Sequence, residues 1–199
     1  MLMRCVQQFE DSQFDAGTQR ENQSTSLMEA EYPKVLLRDY VIDDDRVAAK
    51  ITRLAWEQFR TRFADFDAFI KSASNMSELA KTCELIVAEM DSRVVGVVGY
   101  GPPNQPKQSA FDPAWAAVRM LSTHPDARGR GVGRLLVNEC KRRARRDGAN
   151  ILALTTTKID EVALKMYLKM GFLYHSAAPP VATVPAGLYL MSLKEGVYS

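Results

Sequence analysis

Leu121-Ser122-Thr123-His124-Pro125-Asp126-Ala127-Arg128-Gly129-Arg130-Gly131-Val132-Gly133-Arg134 is the stretch on which the fold turns. It closes a run, Trp115 to Thr123, that reads as a β-strand, and it opens a helical run from about Gly131 to Asp147 that ends at Gly148. Glycines on alternate positions let the backbone approach a ligand closely and aim several N–H groups the same way. The following helix adds its positive dipole end, and Arg128, Arg130 and Arg134 add full charges. The expected ligand is a phosphate or pyrophosphate. A dinucleotide loop, G-x-G-x-x-G counted from Gly129, would need glycine where Arg134 stands, and the Gly-Lys-Ser/Thr of a Walker loop is absent. Taken alone, the loop is equally compatible with a strand–helix turn that binds nothing.

Outward from this stretch the pattern is regular. Upstream, Val35 to Ile42 reads as a strand, and Asp43, Asp44 and Asp45 offer a helix cap. Val47, Ile51, Leu54, Ala55, Phe59 and Phe63 recur at helical spacing, and a weaker helix covers Asp67 to Lys81. Leu85–Glu89 and Val94–Tyr100 flank a short turn and read as a β-hairpin. Gly101 to Pro113 holds four prolines and reads as a loop. Downstream, Ile151 to Thr157 is a buried strand. Ala163, Met166, Tyr167 and Met170 share a helix face before Gly171, and Leu188 to Leu193 is a last strand. The order β-α-α-β-β-β-α-β-α-(β)-β implies a mixed sheet with helices on its faces.

With 46% hydrophobic and 25% charged residues, the 199-residue chain has an ordinary globular balance. A net charge of +2 argues against a dedicated nucleic-acid binder. The basic run Lys141 to Arg146 interleaves with Leu136, Cys140 and Ala144 and reads as a solvated helix face. Cys5, Cys83 and Cys140 are scattered, and two histidines are too few for a typical zinc cluster; no metal is expected. There is no long apolar run and no secretory pattern, so the expected location is cytoplasmic with no membrane partner. Residues 1–33 are poor in aliphatics and read as a flexible tail, leaving 34–199 as the domain.

Arg-x-x-Gly-x-Gly preceded by Met120 to Pro125 resembles the acetyl-CoA signature of the GNAT acyltransferase superfamily. Ala163 to Phe172, a helix ending Tyr-x-x-x-Gly-Phe, resembles that family's second signature. The resemblance spans everything but the tail. It implies an α/β (α+β) fold with a mixed, mostly antiparallel sheet of six to seven strands and about four helices. It also implies an N-acyltransferase moving an acetyl group from acetyl-CoA to an amine by direct attack. A non-catalytic acyl-CoA-binding module on the same fold is the alternative. By resemblance, Leu121, Ser122 and Thr123 lend backbone groups to the pantetheine arm. Arg128, Gly129, Arg130, Gly131, Val132, Gly133 and Arg134 then hold the pyrophosphate. An N–H of the same strand polarises the thioester carbonyl, and Tyr167 protonates the departing thiolate.

No base is assigned. Some relatives carry a glutamate on the strand before the loop, where Trp115-Ala116-Ala117-Val118-Arg119 has no carboxylate. Relatives often have asparagine near the start of the second helix, where this chain has Asp160. Glu57, Asp65, Asp67, Asp112, His124 and a chain of waters are the candidates. The acceptor cleft is expected near Trp56, Phe59, Phe63, Phe66 and Phe69 and the loops 101–113 and 176–187. These aromatics are equally compatible with a core. The acceptor and the oligomeric state are not readable.

Overall fold

The structure, a computed structural model, describes residues 34–194. The expected tail lies outside the described residues. The strands and helices are β1 (Leu36–Asp39), α1 (Asp45–Glu57), α2 (Phe66–Ala73), α3 (Met76–Leu79), β2 (Glu84–Met90), β3 (Arg93–Gly101), β4 (Ala116–Thr123), α4 (Val132–Arg146), β5 (Ile151–Thr157), α5 (Glu161–Lys169), β6 (Leu173–Val181) and β7 (Val184–Ser192). The seven strands form one sheet in the order β1-β2-β3-β4-β5-β7-β6. Only β4 and β5 pair in parallel; every other neighbouring pair is antiparallel. No helix among the described residues is long and apolar enough to cross a membrane.

Period-two burial places helices on both faces. On β2, Leu85 and Val87 join a core with Ala48 of α1 and Met76 of α3. Ile86 and Ala88 join the main core with Val132, Leu136, Val137, Cys140 and Ala144 of α4. Asp91 and Ser92 link β2 to β3 with φ of 51° and 59°, the mirror-image turn that matches strand twist.

Four expectations need correction. The first strand stops at Asp39, because the Asp44 carboxylate accepts the Val41 N–H (2.9 Å) and the Arg38 guanidinium (2.6 Å) and winds the chain into a 3-10 turn. The first helix ends at Glu57; a 3-10 turn over Arg60–Arg62 keeps Phe59 and Phe63 turning toward the same aromatic cluster, so apolar spacing outran the helix. The weaker helix is two, broken before Asn75, whose side chain accepts the Glu78 N–H at 3.0 Å. Residues 176–187 are a β-hairpin rather than a loop: Pro179 and Pro180 sit where β6 shifts register against β7, on the outer edge of the sheet, where prolines are tolerated.

The basic run on α4 is also not wholly solvated. Arg143 is buried and paired with Asp39 of β1, Glu84 of β2 and Glu139 of α4, while Arg146 reaches Glu84 and Asp147. These arginines clamp the helix to the sheet edge.

Candidate active site

The sheet is split at its parallel pair. β4 and β5 pair only at Ala116↔Leu152 and Ala117↔Ala153. β5 then follows β7 as far as Thr157↔Ala186, leaving β4 from Val118 onward without a strand on that side. Its other side carries a bulge: Gly99↔Arg119 and Val97↔Ser122 set one residue of β3 against Met120 and Leu121. Met120 has φ 50°, a left-handed conformation for a side chain that gains nothing from it. Such strain costs of order 1–3 kcal/mol and persists where surrounding structure imposes it. Main-chain polar groups inside a molecule need partners, and past Ala117 no strand supplies them to this edge.

At the open end of the split stands the glycine loop. Gly129 and Gly131 have φ of 76° and 79°, with nothing within 4 Å of where a Cβ would sit. They supply a backbone conformation and leave the surface clear. Gly131 caps α4, whose first-turn N–H groups lack helical partners and stand at the positive end of the helix dipole.

A cleft of about 530 Å³ runs along this loop. Leu121, Ser122 and Thr123 line one side; Gly129, Gly131, Val132 and Gly133 line another, and Arg128 and Arg134 border it. Arg128 donates to the Ala55 carbonyl (3.1 Å) and Gln58 Oε1 (3.2 Å), tying the loop to the C-terminal end of α1. Arg130 does not line the cleft; its guanidinium points at Met90 Sδ, 3.6 Å away.

A second cavity of about 720 Å³ lies deeper in the split. Trp56, Leu121, Asp160 and Ala163 line both spaces, so the two meet there. Tyr167 lines the deeper one. Its ring packs edge-on against Phe172 (5.8 Å), and it is 6% exposed. Burial pushes the phenol above its usual range, and the neighbouring Asp160 charge adds to this. Asp160 accepts the Ala163 N–H (3.1 Å), capping α5. Its own carboxyl is raised by burial, against the lowering effects of that hydrogen bond and of Arg128.

Glu57, Asp65, Asp67, Asp112 and His124 line neither space. Glu57 and Asp67 pair with Arg60, Asp65 caps α2, Asp112 accepts the Ala114 N–H, and His124 accepts the Asp126 N–H. The aromatics divide. Trp56 and Phe69 form cavity wall, Trp56 and Phe59 border the loop cleft, and Phe63 and Phe66 are buried in a core with Ile70 and Val184. Residues of both expected walls do line the deeper cavity, Gln108 to Ala110 and Pro179 to Ala182. Sequence reasoning missed Asp160 and Arg119 as cavity residues. The departure from asparagine at 160 was the available signal for the first; nothing local marked the second.

Solved structures of acetyltransferases superimpose on this split sheet and its glycine loop. The N-acetyltransferase PaiA of Thermoplasma acidophilum, in complex with coenzyme A, matches with TM-score 0.66 and 14% identity over 80% of this chain and 99% of that one. The ribosomal-protein-alanine N-acetyltransferase of Brucella melitensis matches with TM-score 0.60 and 18% identity over 79% of this chain and 99% of that one. A GNAT family acetyltransferase of Brucella melitensis, in complex with acetyl-CoA, matches with TM-score 0.57 and 18% identity over 82% and 91%. At these identities the likeness speaks for the fold. No curated protein matches the chain in sequence. The sequence model of the acetyltransferase (GNAT) family matches residues 48–172, and the chain belongs to that family.

Proposed function

We propose that this chain is an N-acetyltransferase in which acetyl-CoA occupies the loop cleft and an amine enters the deeper cavity. The observation that carries the proposal is the meeting of the two spaces at Trp56, Leu121, Asp160 and Ala163, beside Tyr167. The cleft suits the donor: open glycines and free helix N–H groups for the pyrophosphate, and an unpaired strand edge for the pantetheine amides. Solved relatives that hold coenzyme A or acetyl-CoA support it.

In this reading an N–H at the β4 bulge polarises the thioester carbonyl, a role whose loss costs several kcal/mol in other acyl-transfer sites. An alkyl ammonium of pKa near 10.4 must lose a proton, at about 4–5 kcal/mol at neutral pH. Asp160 takes it; a carboxyl raised above the ordinary aspartate range is a better acceptor than an ordinary aspartate. The new C–N bond forms, the C–S bond breaks, and Tyr167 gives its proton to the thiolate and regains one from solvent. The raised phenol would by itself be a reluctant acid, but the thiolate is born in the same desolvated split, which raises its affinity for a proton too.

The test is release of free CoA from acetyl-CoA across a panel of amines. Turnover with some amines supports the reading. Acetyl-CoA binding by calorimetry without turnover on any amine would instead make the chain a binding module.

A further inference from the structure

Arg119 stands on β4 immediately before the bulge and lines the deeper cavity. It is half-buried, yet it makes no hydrogen bond or ion pair with any described residue. The other arginines held against this sheet are paired: Arg143 with three carboxylates, Arg38 with Asp44 and Glu89. An uncompensated charge withdrawn from water is expensive unless something of opposite sign arrives. The fold makes specific room for this one. Gly99 sits opposite Arg119 in the sheet register, and a Cβ there would approach Arg119 Cβ and Leu79 Cδ2 to 3.3 Å each.

No carboxylate among the described residues pairs with it. Of the two carboxylates lining the space, Glu78 is paired with Lys81 at 2.6 Å and Asp160 caps α5. The nearby Cys83 thiol is held neutral by burial, and Lys107, bonded to the carbonyls of Gln105 and Pro113, adds positive charge. Burial lowers the guanidinium from its usual range, as expected of a cation without a partner; an arginine stays charged regardless.

We infer that Arg119 receives an anionic group of the acceptor, so that the substrate class of this site is an amine that also carries a carboxylate. The inference rests on the deeper cavity being the acceptor site. The planar fork of a guanidinium matches a carboxylate with two parallel hydrogen bonds. Trp56, Phe69, Pro180 and Val181 then offer apolar wall to the body of the molecule. The same charge disfavours acceptors that are cationic throughout, such as polyamines.

The experiment compares matched acceptors: phenylalanine and leucine, their amides, and the corresponding decarboxylated amines, each with acetyl-CoA. For the wild type, kcat/KM for the acids should exceed that for the amides by roughly 10- to 150-fold, the worth of hydrogen bonds between charged groups. In Arg119→Gln that ratio should fall toward one, with the loss in KM for the acids rather than in kcat, and Arg119→Lys should restore part of it. Melting temperature checks that both variants fold. Turnover without preference for the acids, or a preference that survives in Arg119→Gln, overturns the inference while leaving the acetyltransferase reading standing. If no acceptor of either series releases CoA and none binds by calorimetry in the presence of CoA, the acceptor-site reading and the inference fall together.

Discussion

On the loop side of the split, the candidate site is built mainly on main chain from one continuous stretch, Leu121 to Arg134, with α1 and α5 bordering it, and its chemistry is N–H groups, φ angles and a helix end. On the deep side it is made of side chains drawn from α1, α2, α3, β4, β5, α5 and the β6–β7 hairpin, and its chemistry is burial and charge. Backbone sites tolerate side-chain drift but not a change in backbone shape. Side-chain sites tolerate shape changes better than a lost charge or proton. The two halves should therefore fail differently.

The largest effect should come from breaking the backbone half. Gly131→Glu puts a side chain on a residue at φ 79° and a negative charge against the anion site. Acetyl-CoA binding measured by calorimetry should be abolished, while the fold survives at a small cost in stability, because the added Cβ meets no neighbour within 4 Å and the strain is confined to one left-handed residue. Equal affinity in variant and wild type would sink the assignment of the loop.

Next in size is the proton on the side-chain half. Tyr167→Phe keeps the ring on Phe172 and removes the hydroxyl, so kcat should fall roughly 10²- to 10⁴-fold with little change in melting temperature or acetyl-CoA affinity. Tyr167→Ala should instead destabilise by about 3–5 kcal/mol, as a buried aromatic leaves a cavity. A Phe variant with full turnover would make Tyr167 a packing residue and leave water to protonate the thiolate.

The same contrast explains what could be read in advance. The loop, the strand before it and α4 are local in sequence, so their residue types state their geometry, and Gly129 and Gly131 adopt the positive φ that only their lack of a side chain makes easy. The deep cavity depends on residues more than a hundred positions apart, such as Trp56 and Val181, and no spacing announces that they meet. Arg143 and Arg119 make the point sharply. Arg143 reads as part of a solvated helix face and Arg119 as one more residue of a strand; the first is buried among Asp39, Glu84 and Glu139, the second is half-buried with no described partner, and the difference lies in which strands become neighbours. The β6 strand was obscured for another reason: its two prolines spell loop, and only its place at the sheet edge permits them.

The smallest expected effect sits where the halves meet, at Asp160. Asn caps a helix as well as Asp does, so Asp160→Asn should keep the bond from the Ala163 N–H. Its effect on stability follows from the sign of the shift. A carboxyl raised in the folded state favours folding fully only below its unfolded pKa, and that contribution is lost as pH rises through the folded value. At neutral pH the ionised group therefore burdens the fold, and the variant should melt at the same temperature as wild type or slightly above it. Turnover should nevertheless drop about 10²-fold at pH 7, the lower end for a positioned base, since water can substitute in part. The wild-type rate should rise with pH through a carboxyl above the ordinary aspartate range; the variant should lack that limb and close the gap at high pH, where the amine sheds its proton unaided. A variant that melts lower and keeps its rate at pH 7 would make Asp160 a helix cap alone, and would move the proton acceptor to a chain of waters along the split.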